Sequence, residues 1–445
     1  MSKRTLFLLV SLGLFAAACS TTLQDDVVAA GDTNDETQNT TAPPADVVEE
    51  EAFTVEGPGE TFTPPLEGPF TEGGVSSADF DRENVIIESP PALPSVLASL
   101  PWETDWSQRT PESWDEFFRG LQTPDPRDGI PPIDTPIFES VDLAAEWLDP
   151  NEPGALVQLN GEARFYPLSI MTRHEIVNDA FGDVPVAVTF CPLCNTSLAF
   201  DRRVDGEVLR FGVSGLLRNS DLVMWDDQTN SLWQQISGEG VVGEFAGVDL
   251  DTVPTQVVSF RQFVESFPDS FSLAAESGFG RQTYGANPYV GYSSSAQPFL
   301  FDGEADDRLP ALSRVVGITE GDAIAAYSFD QAGELGVIND EIDGLPIVIL
   351  AAGNTTDALD GSRIADSQNI GSAVAHSPVV DGETLTFARN DDDTFTDEQT
   401  GSTWNVIGIA TDGPLAGTQL DPIEHRNEFW FAWQAFLGPD SLRQL

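Results

Sequence analysis

The chain has 445 residues, with 20 basic and 73 acidic side chains, three histidines, three cysteines and a formal charge of −53. At about 150 residues per domain this length fits two to three domains, and 40 % apolar residues suffice for ordinary cores. Such a charge repels phosphate backbones and excludes nucleic-acid binding as a function class.

Lys3 and Arg4 precede the apolar run Leu6 to Ala18, which is too short to span a bilayer and ends in small residues. The stretch Ala16-Ala17-Ala18-Cys19-Ser20 resembles a bacterial lipoprotein cleavage box. That resemblance implies a signal peptide over 1–18, lipidation at Cys19, and an extracytoplasmic protein held to the cell membrane by its lipid. A plain signal peptide with an incidental Cys19 is the alternative. Residues 20–81 contain no lysine or arginine and are rich in Thr, Pro, Gly, Asp and Glu. This composition predicts a disordered, acidic linker over 19–85 that cannot bury a core.

Order is expected to begin between residues 85 and 95. Ser113 and Glu116 have capping-box spacing, and Trp114, Phe117 and Phe118 then share one side of a short helix. A second helix is expected over Asp142 to Leu148. The Asn160-Gly161 pair between Leu156–Leu159 and Ala163–Tyr166 predicts a hairpin. Val184 to Phe190 is apolar on both faces and predicts a buried strand. Trp430, Phe431, Trp433 and Phe436 have the spacing of a buried helix.

An internal repeat organises the rest. Asn178-Asp179, Gly182 and Pro185 to Val188 are echoed by Asn339-Asp340, Gly344 and Pro346 to Ile349. Asp205-Gly206-Glu207 returns as Asp381-Gly382-Glu383, and DDQTNSLW (226–233) as DEQTGSTW (397–404). The expected fold class is α+β and β-dominated, with two related lobes from an internal duplication. The first lobe covers 86–275, a connector 276–320 and the second lobe 321–445. Cys191 and Cys194 have Ala352 and Thr355 at the matching positions, which places chemistry in the first lobe.

Several segments together resemble the bacterial family of domains of unknown function numbered 3179. They are NGEARFYP (160–167), HEIVND (174–179), TFCPLCNT (189–196), FGVSGLLRNSDLVM (211–224) and GSTW (401–404). The resemblance covers roughly residues 125 to 440 and implies no established activity. Asn195 stands where the family often has glycine.

The Cys-Pro-Leu-Cys pair admits four readings. Covalent haem needs a histidine after the second cysteine, and Asn195 is there. A thioredoxin-type site needs a helix start, whereas Thr196 to Phe200 reads as strand. A disulfide suits an exported protein, but so small a loop restricts the unfolded chain little. The fourth reading is a metal knuckle for copper or zinc, with His174 as the assisting ligand. Met224, Glu175 and Asp179 are further ligand candidates, with Asp134 and Asp221 as other hard donors. Against the site readings, His174 also suits a hydrogen-bonded core position, and Met224 a plain core position. Arg218, Asn219 and Asp221 mark a second candidate, a polar pocket, with a tight turn as the competing reading. His376 and His425 are expected to be structural, with His425 at the surface.

The leading functional expectation is an exported lipoprotein with a metal or redox site at Cys191 and Cys194. The alternative is a non-enzymatic binding or scaffold protein with a Cys191–Cys194 disulfide and a ligand between the lobes. An enzyme whose metal keeps an open position is a third. The expected partner is the membrane, through the lipid anchor; no protein partner is indicated.

Overall fold

The computed structural model describes residues 53–444 apart from 79, 81–83, 99–101 and 124. The expected signal peptide, Cys19 and most of the acidic linker lie outside these residues. The linker expectation fails at its C-terminal end, because the chain is packed from Phe53 onward. Phe53 meets Phe260 with ring centroids 6.3 Å apart, Phe62 stacks on Phe138 at 5.3 Å, and Val75 donates its N–H to the Arg203 carbonyl at 3.0 Å. A few apolar side chains anchor a segment whose average composition reads as unfolded.

The fold is β-dominated. Helix α1 (Trp114–Arg119) starts where expected: the Ser113 hydroxyl accepts the Glu116 N–H at 3.0 Å, and Trp114 and Phe117 are buried. The second expected helix is shorter than read, Val141–Ala144, followed by turns. Strands β1 (Pro153–Leu159) and β2 (Glu162–Pro167) form the expected hairpin, with Asn160 at φ 53° and Gly161 at φ 79°. Both residues take the left-handed conformation that a two-residue turn demands.

Helix α2 (Leu168–His174) leads into β3 (Ile176–Phe181), β4 (Val184–Cys191) and β5 (Thr196–Asp201). In that sheet β4 lies between β3 and β5, and its VPVAVTFC run is buried almost throughout. Being flanked by strands and covered on both faces explains why it is apolar without alternation. Strands β6 (Phe211–Arg218), β7 (Asp221–Asp226), β8 (Leu232–Gln234) and β9 (Glu239–Val242) then pair in sequence order. Strand β10 (Thr255–Ser259) returns to pair with β1 and runs into helix α3 (Phe260–Ser266).

The C-terminal part has a matching order of pairings. Strands β11 (Arg314–Glu320) and β12 (Ala323–Ser328) form a hairpin before α4 (Phe329–Leu335). They are followed by β13 (Val337–Ile342), β14 (Leu345–Ala352) and β15 (Ser372–His376), which form a sheet with β14 central. Strands β16 (Phe387–Arg389), β17 (Phe395–Asp397), β18 (Thr403–Trp404) and β19 (Ala410–Asp412) pair in sequence order. Finally β20 (His425–Phe429) returns to β11 and runs into α5 (Trp430–Leu437). Trp430, Phe431 and Trp433 of that helix are buried, as their spacing predicts.

Individual hydrogen bonds coincide as well. Asp226 accepts Trp233 Nε1–H at 2.9 Å, and Asp397 accepts Trp404 Nε1–H at 2.9 Å. Asn178 exchanges two bonds with the Phe211 backbone, and Asn339 does so with Phe387.

The described residues from Phe53 onward belong to one compact unit. The last strand explains why: the Phe429 N–H donates to the Cys194 carbonyl at 2.9 Å, so β20 closes onto the first part of the chain. His425 on that strand is 4 % exposed, not at the surface, and its Nδ1 meets the Ile423 carbonyl at 2.8 Å. The adjacent Arg426 suggests exposure, but it is itself buried, with a guanidinium that bonds the Ile236 carbonyl and the Thr319 hydroxyl. Among the described residues, no helix is long and apolar enough to cross a membrane.

The two buried aspartates carry a prediction. Asp397 also accepts the Thr400 and Ser402 N–H groups, at 2.6 and 3.1 Å. Asp397→Ala removes the acceptor of the Thr400 N–H and of the Trp404 indole, at roughly 1–3 kcal/mol per buried orphan. Urea unfolding is expected to show a loss of at least about 2 kcal/mol; a loss under about 0.5 kcal/mol contradicts this role.

Candidate metal centre

Two turns converge to make the site. β4 delivers Cys191, whose backbone partner is Thr196 at the start of β5. Between them, Pro192-Leu193-Cys194-Asn195 reverses the chain, with the Asn195 N–H donating to the Pro192 carbonyl at 3.3 Å. Asn195 sits at φ 57°, a conformation that glycine and asparagine tolerate best. This accounts for asparagine at a position where the family resemblance leads to glycine.

The knuckle is clamped from outside. Tyr292 Oη donates to the Leu193 carbonyl at 2.9 Å, and Asn195 Nδ2 donates to the Asn427 carbonyl at 2.7 Å. With the Phe429 bond, these contacts fix the backbone on both sides of Cys194.

The second turn, Asn219-Ser220, joins β6 to β7 with φ values of 52° and 68°. It aims the Ser220 carbonyl at both sulfurs, 3.8 Å from Cys191 Sγ and 3.5 Å from Cys194 Sγ. The next residue, Asp221, faces the same sulfurs. Its Oδ2 accepts Gln234 Nε2–H at 2.5 Å and the Ile236 N–H at 3.0 Å. Its Oδ1 is buried and receives no N–H or O–H bond among the described residues, so the two thiols are the donors left to it. Cys191, Cys194 and Asp221 place two sulfurs and one carboxylate oxygen within 4.8 Å of one another, a buried set able to hold a metal ion. Both cysteines are free thiols.

The surroundings are acidic. Burial pushes the Asp221 carboxyl up to about 6, despite its bonds from Gln234 and Ile236. Glu428 on β20 is pushed up to about 7 by burial and accepts the Thr196 hydroxyl through Oε2 at 3.1 Å. Its Oε1 is buried without a partner among the described residues. Burial also raises both thiols, and the carboxyls of Asp221 and Glu175 raise Cys191 further. Glu175, pushed up to about 8 by burial and then by Asp125 and Asp221, makes no side-chain hydrogen bond among the described residues.

The other expected ligands lie elsewhere. His174 does not join the sulfurs: its Nδ1 meets the Pro131 carbonyl and its Nε2 the Tyr284 hydroxyl, each at 2.7 Å. A carbonyl only accepts, so Nδ1 carries the proton and Nε2 accepts from Tyr284. The ring also stacks on Phe279 at 4.7 Å, and burial holds its pKa below the ordinary value. Asp179 is fully buried against Arg164 at 2.8 Å, and Asp134 bonds Arg210 and Asn178. Met224 is part of the hydrophobic core. Of the expected polar pocket, Arg218 and Asp221 stand opposite each other on the hairpin and share Gln234, which accepts from Arg218 at 3.1 Å and donates to Asp221 Oδ2 at 2.5 Å; Arg218 also reaches Glu116 at 3.4 Å.

Sequence reasoning missed Glu428 as a neighbour of the site. Its hydroxyl donor, Thr196, is 232 residues away, and no local pattern joins the two. Asp221 was visible as a hard donor, but its pairing with the cysteines depends on how the β6–β7 hairpin packs against β4.

These buried acids make stability depend on pH. An acid whose pKa is higher in the folded than in the unfolded chain binds its proton more tightly when folded. Its stabilisation is therefore present at low pH and lost as pH rises through the folded value. For Asp221, Glu428 and Glu175 the window runs from their ordinary values, 3.8 for aspartate and 4.5 for glutamate, to about 6, 7 and 8. Metal-free protein is expected to melt at lower temperature as pH rises across this window. Glu175→Gln, which cannot ionise, is expected to flatten the decline; an unchanged slope contradicts the assignment.

No curated protein and no solved structure matches the chain. A family model described as "Protein of unknown function (DUF3179)" matches residues 127–441, a span that includes the knuckle, Asp221, Glu428 and both sets of strands. The chain belongs to that family.

Proposed function

We propose that the protein is an exported lipoprotein that binds a transition metal ion through Cys191, Cys194 and Asp221. The observation that carries this reading is the buried Asp221 carboxyl set against two free thiols, with no other donor to its Oδ1 among the described residues. Thiols are weak donors, so a buried carboxylate oxygen that meets only them keeps much of the cost of its burial. A cation bonded to it and to the sulfurs removes that cost and compensates the local acidity.

Of copper and zinc, zinc suits the donor set better. As a borderline ion it accepts thiolate and carboxylate together, whereas cuprous copper favours soft donors. Met224, the soft donor in this part of the chain, is buried in the core. Three donors leave one tetrahedral position for a further ligand. Thiol exchange fits less well, since both sulfurs are buried and their raised pKa values disfavour the reactive thiolate.

Export and anchoring rest on Lys3, Arg4, the apolar run and Cys19. Cys19→Ser is expected to move the protein from the membrane to the soluble fraction. The two matching series of pairings, together with the paired Asp–Trp bonds, support an internal duplication in which only the first half kept the thiols.

Elemental analysis of untagged protein is expected to find about one zinc per chain, lost in Cys191→Ser; metal content unchanged by that substitution contradicts the site. Binding deprotonates both thiols, so zinc affinity is expected to rise with pH by about tenfold per unit for each proton released. A pH-independent affinity between about pH 6 and 8 contradicts thiolate ligation.

A further inference from the structure

A cavity of about 580 Å³ adjoins the knuckle, with Leu193 in its wall. That volume matches pockets for small organic molecules. Most of its lining is apolar, and among the described residues no Lys, Arg or His contributes to it. Its charged lining residues are Asp125 and Glu175.

Glu175 is 7 % exposed, lines the cavity and makes no side-chain hydrogen bond among the described residues. It follows His174 at the end of α2 with φ 59°, a conformation costly for a residue with a side chain. The His174 bonds to Pro131 and Tyr284 hold the helix end from which it projects. Leu300, another lining residue, has φ 54°. A register shift between Val213 and Leu216 makes room for the wall opposite. A Cβ on Gly215 there would meet the Asp125 carbonyl at 2.1 Å, so only glycine admits this approach. Strained backbone and bulges of this kind gather at functional sites. Val290 and Phe299, both lining residues, are 60 % and 57 % exposed, so the mouth is apolar too.

We propose that this cavity binds a small organic cation, an amine on an apolar body, with its ammonium group paired to Glu175. The apolar wall takes the body, and the acidic lining excludes carboxylates and phosphates. The rings of Tyr289 and Tyr292, both in the lining, suit a cationic head. An ammonium at Glu175 supplies the donors that the buried carboxyl lacks. The site shares no ligand atom with the sulfur centre, so it stands apart from the metal reading.

Calorimetric titration of the full chain with phenethylamine, 2-phenylethanol and 3-phenylpropionate tests the proposal. Phenethylamine is expected to bind at least about tenfold more tightly than either of the others. Glu175→Gln is expected to weaken the amine by about tenfold and to leave the alcohol within about twofold. Val290→Trp, a change at the exposed mouth, is expected to weaken both. Absence of amine binding at millimolar concentration, equal binding of the carboxylate, or an amine affinity untouched by Glu175→Gln overturns the proposal. Should Glu175→Gln fail to fold, Glu175→Asp serves, because withdrawing the carboxyl must still weaken the amine more than the alcohol. Cys191→Ser is expected to keep amine selectivity while losing metal, which separates failure of this site from failure of the metal centre.

Discussion

The constraint on which the site depends is the burial of acidic groups without matching cations. Asp221, Glu175 and Glu428 lie around Cys191 and Cys194, and each thiol or carboxyl is raised first by loss of solvent. Arg426 eases Glu428, but the charge influences on Cys191 and Glu175 come from other acids. Other buried acids are paired with arginine, as Asp179 with Arg164 and Asp357 with Arg314, or with indole and backbone N–H groups, as Asp226 and Asp397. Two sulfurs and a buried carboxylate oxygen in this cluster form a set able to hold a metal ion.

The C-terminal strand makes that cluster possible. Phe429 and Asn427 bond the knuckle, and Glu428 between them reaches Thr196. One strand thus supplies an acid to the site and holds the backbone on which Cys194 rides. The thiol-free part of the chain is therefore a structural component of the centre, which explains why the two expected lobes form one compact unit.

Much of the fold was legible because its signals are local. The Asn160-Gly161 hairpin, the Ser113 cap, the apolar β4 run and the C-terminal aromatic helix each depend on residues a few positions apart. The likeness of DDQTNSLW to DEQTGSTW was legible too, and each segment makes the same Asp–Trp hydrogen bond. The cysteine pair declared itself by spacing. What escaped was the company it keeps. His174 is near the pair in sequence, yet α2 ends with the ring turned to Pro131 and Tyr284. Asp221 and Glu428 are distant in sequence and meet Cys191 and Cys194 only through tertiary packing. The acidic linker was misread at its end because composition averages over Phe53, Phe62 and Val75, which anchor it.

X-ray absorption at the zinc edge of the zinc-loaded full chain tests the central claim most directly. The account predicts two sulfur neighbours at about 2.3 Å together with oxygen neighbours at about 2.0–2.2 Å. A first shell of oxygen and nitrogen alone, with no sulfur, would contradict it.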